Sequence, residues 1–175
     1  NTFPFNANKF YFSDKFFNDN NKRIFVFGIN PGRFGAGLTG VTFTDPVALE
    51  TFCGIKNSLD KRKELSSDFI YQFIECWGGA EKFYKHFFLT AVSPLGFIQD
   101  GINCNYYDHP ELLKASLPFI TKTLRNQVAL GANCEIAIVL GAGKNRKIFA
   151  DLNKEYKFFE KILSLDHPRY IMQYR

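Results

Sequence analysis

Residues 24–43 read IFVFGINPGRFGAGLTGVTF: an unbroken apolar run that opens into a loop with five glycines between Gly28 and Gly40. An apolar run this short, rich in β-branched and aromatic side chains, fits a strand covered on both faces, as in a parallel sheet. Three further runs of the same kind lie at 87–92, 135–140 and 161–165. Between them the apolar spacing turns helical, at 68–76, 110–130 and 144–159. In the second of these, Leu112, Leu113, Leu117, Ile120, Leu124 and Val128 form one stripe to bury, with a kink expected at Pro118. The third is expected to break near Asn153. Strands alternating with helices predict an α/β fold of three layers, α/β/α, around a central, mainly parallel four-stranded sheet.

A chain of 175 residues bounds one domain, 1–175, large enough to bury an ordinary core. It begins at Asn1 and stops at Arg175 in mid-pattern, as a domain trimmed at both termini would. With 46% hydrophobic and 22% charged residues, disorder is excluded. Most of the 21 Phe and 8 Tyr belong in the core. A few fall in glycine-rich loops, where burial explains them less well. The net charge of +5 and pI near 9.0 are compatible with a polyanionic partner without demanding one. Cys53, Cys76, Cys104 and Cys134 are spaced too widely for a metal or iron–sulfur motif. They read as free thiols in a reducing, intracellular compartment, cytoplasmic beside the nucleoid or nuclear. No secretory signal is legible, and no apolar run approaches the roughly 18 residues of a membrane span.

In open parallel sheets ligands bind beyond the carboxyl ends of the strands. The segments to inspect therefore start at Asn30, Ser93, Gly141 and Asp166. In the first, Phe34 and Phe43 are bulky rings among glycines and polar residues. Such a ring can wall a pocket on which a planar base stacks, worth about 1–3 kcal/mol per base. In the last, His167 follows a strand and precedes Pro168, which holds it at the sheet edge. The segment Gly141-Ala142-Gly143-Lys144-Asn145-Arg146 resembles a nucleotide-binding loop only superficially. Ile138 stands where that motif needs its first glycine, and Asn145 where it needs Ser or Thr. It reads instead as a strand-to-helix turn whose Lys144 and Arg146 face a backbone phosphate. Lys61-Arg62-Lys63 reads as a solvated basic face.

Gly-Ile-Asn-Pro-Gly at 28–32, Thr-Gly-Val-Thr-Phe at 39–43 and His-Pro-Arg at 167–169 resemble the signature segments of the uracil-DNA glycosylase superfamily. The likeness is greatest to its single-strand-selective monofunctional branch. There an Asn followed by Pro-Gly precedes a Phe by thirteen positions, as Asn30 precedes Phe43. The resemblance implies catalytic roles for Asn30, which would orient the attacking water, and His167, which would stabilise charge on the departing base. It implies base contacts from Ile29, Gly32 and the Phe43 ring. It also implies a DNA partner, single- or double-stranded, with the damaged base flipped out of the stack. Arg169 or Tyr170 would fill the gap, and Ser93, Lys144 and Arg146 would meet the backbone. The protein would act as a monomer, without cofactor, metal or membrane. No lysine is expected at a position to form a Schiff base.

One segment departs from the family pattern. Relatives carry an Asn that reads the uracil edge shortly before a Pro-Leu pair, whereas Ala91 stands there in Thr90-Ala91-Val92-Ser93-Pro94-Leu95. Asn105, with Asn103 as the alternative, is the expected substitute. The departure keeps two rivals in view: a non-catalytic DNA-binding module of the same fold, and a small-molecule nucleotide enzyme on a generic α/β sheet.

Overall fold

The computed structural model describes residues 7–175. In chain order the elements are α1 (Ala7–Phe17), β1 (Arg23–Gly28), α2 (Ala36–Thr39), α3 (Pro46–Thr51), α4 (Leu65–Trp77), α5 (Ala80–His86) and β2 (Phe87–Ala91). They continue with β3 (Phe97–Gln99), β4 (Ile102–Cys104), α6 (Pro110–Ala129), β5 (Ala132–Leu140), α7 (Lys144–Tyr156), β6 (Lys161–Leu165) and α8 (Pro168–Tyr174). Strand alternation sorts the core into two halves. Val26, Leu89 and Leu140 face one side, among Phe12, Ile70, Tyr71, Ile74 and Phe83 from α1, α4 and α5. Phe25, Phe27, Ala137 and Val139 face the other, against Ile120 and Leu124 of α6 and Phe149 of α7. Two apolar faces on one sheet require helices on both, which makes three layers.

The main sheet runs β2-β1-β5-β6 with every neighbour parallel. From β1 the chain first winds outward to β2, then crosses back to β5 on the other side. The carboxyl ends of β1 and β5 therefore diverge, and a crevice opens there. All four expected strands are present. β5 starts three residues earlier than its apolar run, at Ala132-Asn133-Cys134, where Asn133 breaks the apolar pattern. A register irregularity between Arg23 and Phe25 accommodates the extra length.

One expectation about the helices is corrected. α7 does not break at Asn153. It continues to Tyr156 and ends at Lys157, in a left-handed conformation with φ of 54°. The Asn153 amide instead secures the return, donating to the Phe159 carbonyl at 2.9 Å and accepting from its N–H at 2.8 Å. α6 is one helix, Pro110–Ala129, with Pro118 inside it. The β3–β4 hairpin lies outside the four runs read from the sequence. Its two-residue turn is Asp100-Gly101, both at positive φ (49° and 74°), the chemistry that tight hairpins favour. No helix among the described residues is long and apolar enough to cross a membrane.

Asn145, in the turn that failed as a nucleotide loop, is buried and joins three segments at the crevice. Its amide donates to the Leu140 carbonyl at 3.0 Å and to the Gly28 carbonyl at 3.4 Å. Its oxygen accepts from the buried Tyr106 hydroxyl at 2.9 Å. The side chain thus ties the ends of β1 and β5 to the segment after the hairpin. Asn145→Ala strands buried polar atoms and is expected to lower unfolding stability by about 2–3 kcal/mol in urea titration. A loss well below 1 kcal/mol would show that the tie is redundant.

Candidate active site

A cleft of about 710 Å³ lies at the carboxyl ends of β1, β2 and β6, within the range of small-ligand sites. Asn30, Phe43 and His167, far apart in sequence, all line it. So do Ile29, Gly32, Ala91, Asn103, Asn105, Arg169 and Tyr170.

Asn30 is the second residue after β1, and its side chain is held at both ends. Nδ2 donates to the Cys104 carbonyl and Oδ1 accepts from the Tyr106 N–H, each at 3.2 Å. An amide offers two donors and two lone pairs, so one of each remains for a ligand or water. The held geometry removes the rotamer freedom that an exposed Asn would have.

Phe43 is buried and adopts a left-handed conformation, φ 55°, which is strained for a bulky residue. The conformation turns its ring over the end of β1. A Cβ placed on Gly28 would stand 2.6 Å from the ring's Cζ, so glycine is required there for the ring to lie where it does. The ring centroid sits 5.9 Å from that of His167, with the planes at 50°.

His167 caps α8. Its Nδ1 accepts from the Arg169 N–H at 3.2 Å, while Pro168 takes the first helical position, where no N–H is needed. With Nδ1 as acceptor, the neutral ring carries its proton on Nε2. Burial, and then the nearby Arg169 charge, push the imidazole from 6.5 down to about 4. The site therefore holds a neutral imidazole that can donate one hydrogen bond.

Glu64 is a site residue that motif reading missed. It lies just before α4, and its N–H donates to buried Asp45 at 3.0 Å, the residue that also caps α3. Its carboxylate reaches into the glycine-rich loop and accepts from the N–H groups of Phe34, at 3.3 Å, and Gly35. Burial raises its pKa above the ordinary carboxylate value against those bonds, with the Asp45 charge adding and Arg169 opposing. A Cβ at Gly32 would stand 2.7 Å from Oε1. The close approach that glycine permits at position 32 is thus toward Glu64. A lone Glu thirty residues from the loop offers no spacing signal.

The other expected positions divide. Asn105 lines the cleft, but its amide donates to Asp108 at 3.3 Å and its N–H to the same carboxylate at 2.7 Å, which closes a turn. The Asn103 side-chain oxygen, Oδ1, accepts from the Arg33 N–H at 3.3 Å. The Ile29 carbonyl accepts from the Ser93 N–H. Ser93 is fully buried, and its hydroxyl donates to the Leu95 carbonyl, so it cannot reach a DNA backbone as expected. Lys144 and Arg146 are exposed at the start of α7, outside the cleft lining. Arg169 and Tyr170 stand exposed at its mouth. Lys61-Arg62-Lys63 is not simply a solvated face. Lys63 borders the cleft, and Arg62 stacks on Phe34, 4.7 Å from the ring centroid.

The sequence model of the uracil DNA glycosylase superfamily matches residues 15–175. The chain belongs to the uracil DNA glycosylase superfamily. Among solved structures, the crystal structure of wild-type Pedobacter heparinus SMUG2 matches with a TM-score of 0.92 at 46% identity. That match covers 96% of this chain and 74% of the other. It agrees with the likeness to the single-strand-selective branch. Comparison with curated proteins gives no match.

Two measurements follow from this geometry. Gly28→Ala drives a methyl into a ring that the strained Phe43 backbone cannot easily move. It is expected to cost about 1–3 kcal/mol in stability and to displace the cleft wall, seen as altered Phe43 contacts in a variant structure. An unchanged Phe43 would show that β1 yields instead. For His167, an NMR titration is expected to show its imidazole taking a proton near pH 4. Because the unfolded chain takes that proton near 6.5, the stabilising contribution is complete above 6.5 and is lost as pH falls toward 4. His167→Asn should lack that share of the acid destabilisation; a titration midpoint near 6.5 would refute the burial argument.

Proposed function

We propose that this protein hydrolyses the N-glycosidic bond of uracil, or of a related damaged pyrimidine, in DNA, by a monofunctional, water-mediated route. The observation that supports this reading is the convergence of Asn30, Phe43 and His167 on one cleft. The base, extruded from the stack at a cost of a few kcal/mol, enters the cleft and lies against Phe43. Asn30 orients water through its unused lone pair and N–H. A neutral amide cannot act as a base, so the barrier is lowered chiefly at the leaving group. As C1′–N1 breaks, its electron pair passes to the base, and Nε2–H of His167 donates to the developing oxyanion. The water oxygen bonds to C1′, and its proton leaves to solvent or to the released base.

Ala91 supplies no side-chain hydrogen bond at the base edge, so selectivity rests on Asn105, with Asn103 as the alternative. Arg169 and Tyr170 at the cleft mouth suit the space a flipped base vacates. Lys144 and Arg146 would meet phosphates farther along the same edge. Lys63 is the amine nearest to challenging the monofunctional assignment, and borohydride trapping decides the matter: a covalent protein–DNA adduct would indicate a lyase.

The test uses single- and double-stranded oligonucleotides carrying uracil, with alkaline cleavage of abasic sites. His167→Asn keeps a capping oxygen for α8 but lacks Nε2–H, so it isolates chemistry from folding. It and Asn30→Ala are each expected to slow base release by ~10²–10³. Release by the double variant at the wild-type rate would remove both residues from the mechanism. DNA binding by the wild type without any base release would favour a non-catalytic module, which the missing amide at Ala91 makes the second reading.

A further inference from the structure

Arg33, Phe34 and Arg62 form a unit that neither the motif reading nor the mechanism uses. The two guanidinium carbons lie over the Phe34 ring, 4.3 and 4.7 Å from its centroid. Arg33 and Phe34 come from the loop after Asn30, whereas Arg62 lies 28 residues downstream of Phe34. Packing two like charges on one small ring is unfavourable by itself, and the ring quadrupole offsets only part of that repulsion. Each arginine is also tethered. Arg33 donates through Nη1 to the Gly101 carbonyl at the hairpin turn. Arg62 donates through Nε to Asp60 at 2.7 Å, in an exposed pair. Among the described residues, no partner is shown for either Nη of Arg62 or for Nε and Nη2 of Arg33.

The surroundings add to the charge. Lys63 follows Arg62 and, like Arg33, Phe34 and Arg169, borders the cleft. The acidic groups nearby are committed: Asp60 to Arg62, Glu50 to Lys61, and Glu64 to the loop amides. What remains is a pair of guanidiniums fixed on an aromatic plate that borders the cleft, with N–H groups to spare. Planar forks of this kind match phosphate geometry, and a fixed pair loses less freedom on binding than two free side chains.

We propose that Arg33 and Arg62, held by Phe34, clamp the backbone phosphates of the DNA strand that carries the extruded base, next to the cleft. The proposal rests on the base-excision reading for its ligand. It assigns the main electrostatic grip to the Arg33–Phe34–Arg62 plate, with the start of α7 in a lesser role.

The probe is a fluorescent single-stranded oligonucleotide with a central tetrahydrofuran abasic analogue, which binds without being cleaved. Affinity is measured by anisotropy across a range of salt concentrations. Arg33→Gln/Arg62→Gln is expected to weaken binding about tenfold and to flatten the slope of log K against log salt by about 1.4, for two lost phosphate contacts on a single strand. A charge-matched control, Lys122→Gln/Lys154→Gln on α6 and α7, should keep the wild-type slope. Phe34→Leu retains both charges but removes the plate; it should weaken binding by roughly threefold with the slope kept. Circular dichroism confirms that each variant folds. Single-turnover uracil release by the Lys122→Gln/Lys154→Gln control should match the wild type, since both lysines lie away from the cleft. A slope unchanged in the arginine variant, or flattened equally by the control, overturns the clamp while leaving base release intact. Failure of the wild type to release uracil would instead strike the base-excision reading, and the salt slopes would still decide the clamp.

Discussion

A side chain at position 28 and the ring of Phe43 cannot share the same space, and much of the site follows from that exclusion. The glycine ends β1 at the point where the sheet's winding reverses, so the vacated volume lies at the crevice itself. The ring fills it only because Phe43 accepts a left-handed backbone, which the buried surroundings of the loop hold in place. Thr39 helps by accepting from the Val41 N–H and donating to the Thr44 carbonyl, closing the loop on either side of the ring. One apolar plate then stands 5.9 Å from an imidazole carried by the other end of the chain.

Around that plate the polar residues are tied rather than free. Asn30 is fixed by backbone groups of residues 104 and 106, Asn145 links β1, β5 and Tyr106, and Asp45 sets Glu64 against the glycine-rich loop. Most of these tethers span long stretches of sequence, up to 117 residues between Gly28 and Asn145, so the cleft forms only once β1, β5 and the segment after the hairpin have come together. Polar groups held at more than one point make a site rigid, because any other arrangement leaves a donor or acceptor without a partner. Orientation is thereby settled before a ligand arrives.

The fold was legible because its signals are local. β1 and the carboxyl-terminal halves of β2 and β5 are buried, and β6, though half-exposed, still carries Ile162, Leu163 and Leu165, so the runs at 24–29, 87–92, 135–140 and 161–165 stand out as apolar. The alternation with helices then sets the layers. Asn30, Phe43 and His167 were legible because each sits at a strand end or in a spaced motif. What escaped reading depends on distance in sequence. Glu64 acts through loop amides thirty residues away, and Arg62 reveals itself only by stacking on Phe34. Ser93 was misjudged because a hydroxyl at a strand end looks available until its burial is known. The hairpin did carry a local signal, the Asp100-Gly101 pair. Its strands are only three residues each, too short for an alternating pattern to emerge.

The cap on α8 has a consequence for how this protein can change. Asp, Asn or Ser terminates a helix better than an imidazole does, and each would relieve the burial of a titratable ring. Selection for robustness alone would therefore replace His167, and a thermostability screen blind to turnover would drift toward the same residues. On the role proposed for His167, keeping an inferior cap at that position is what a stability–activity compromise looks like, one side chain serving both the helix and the cleft.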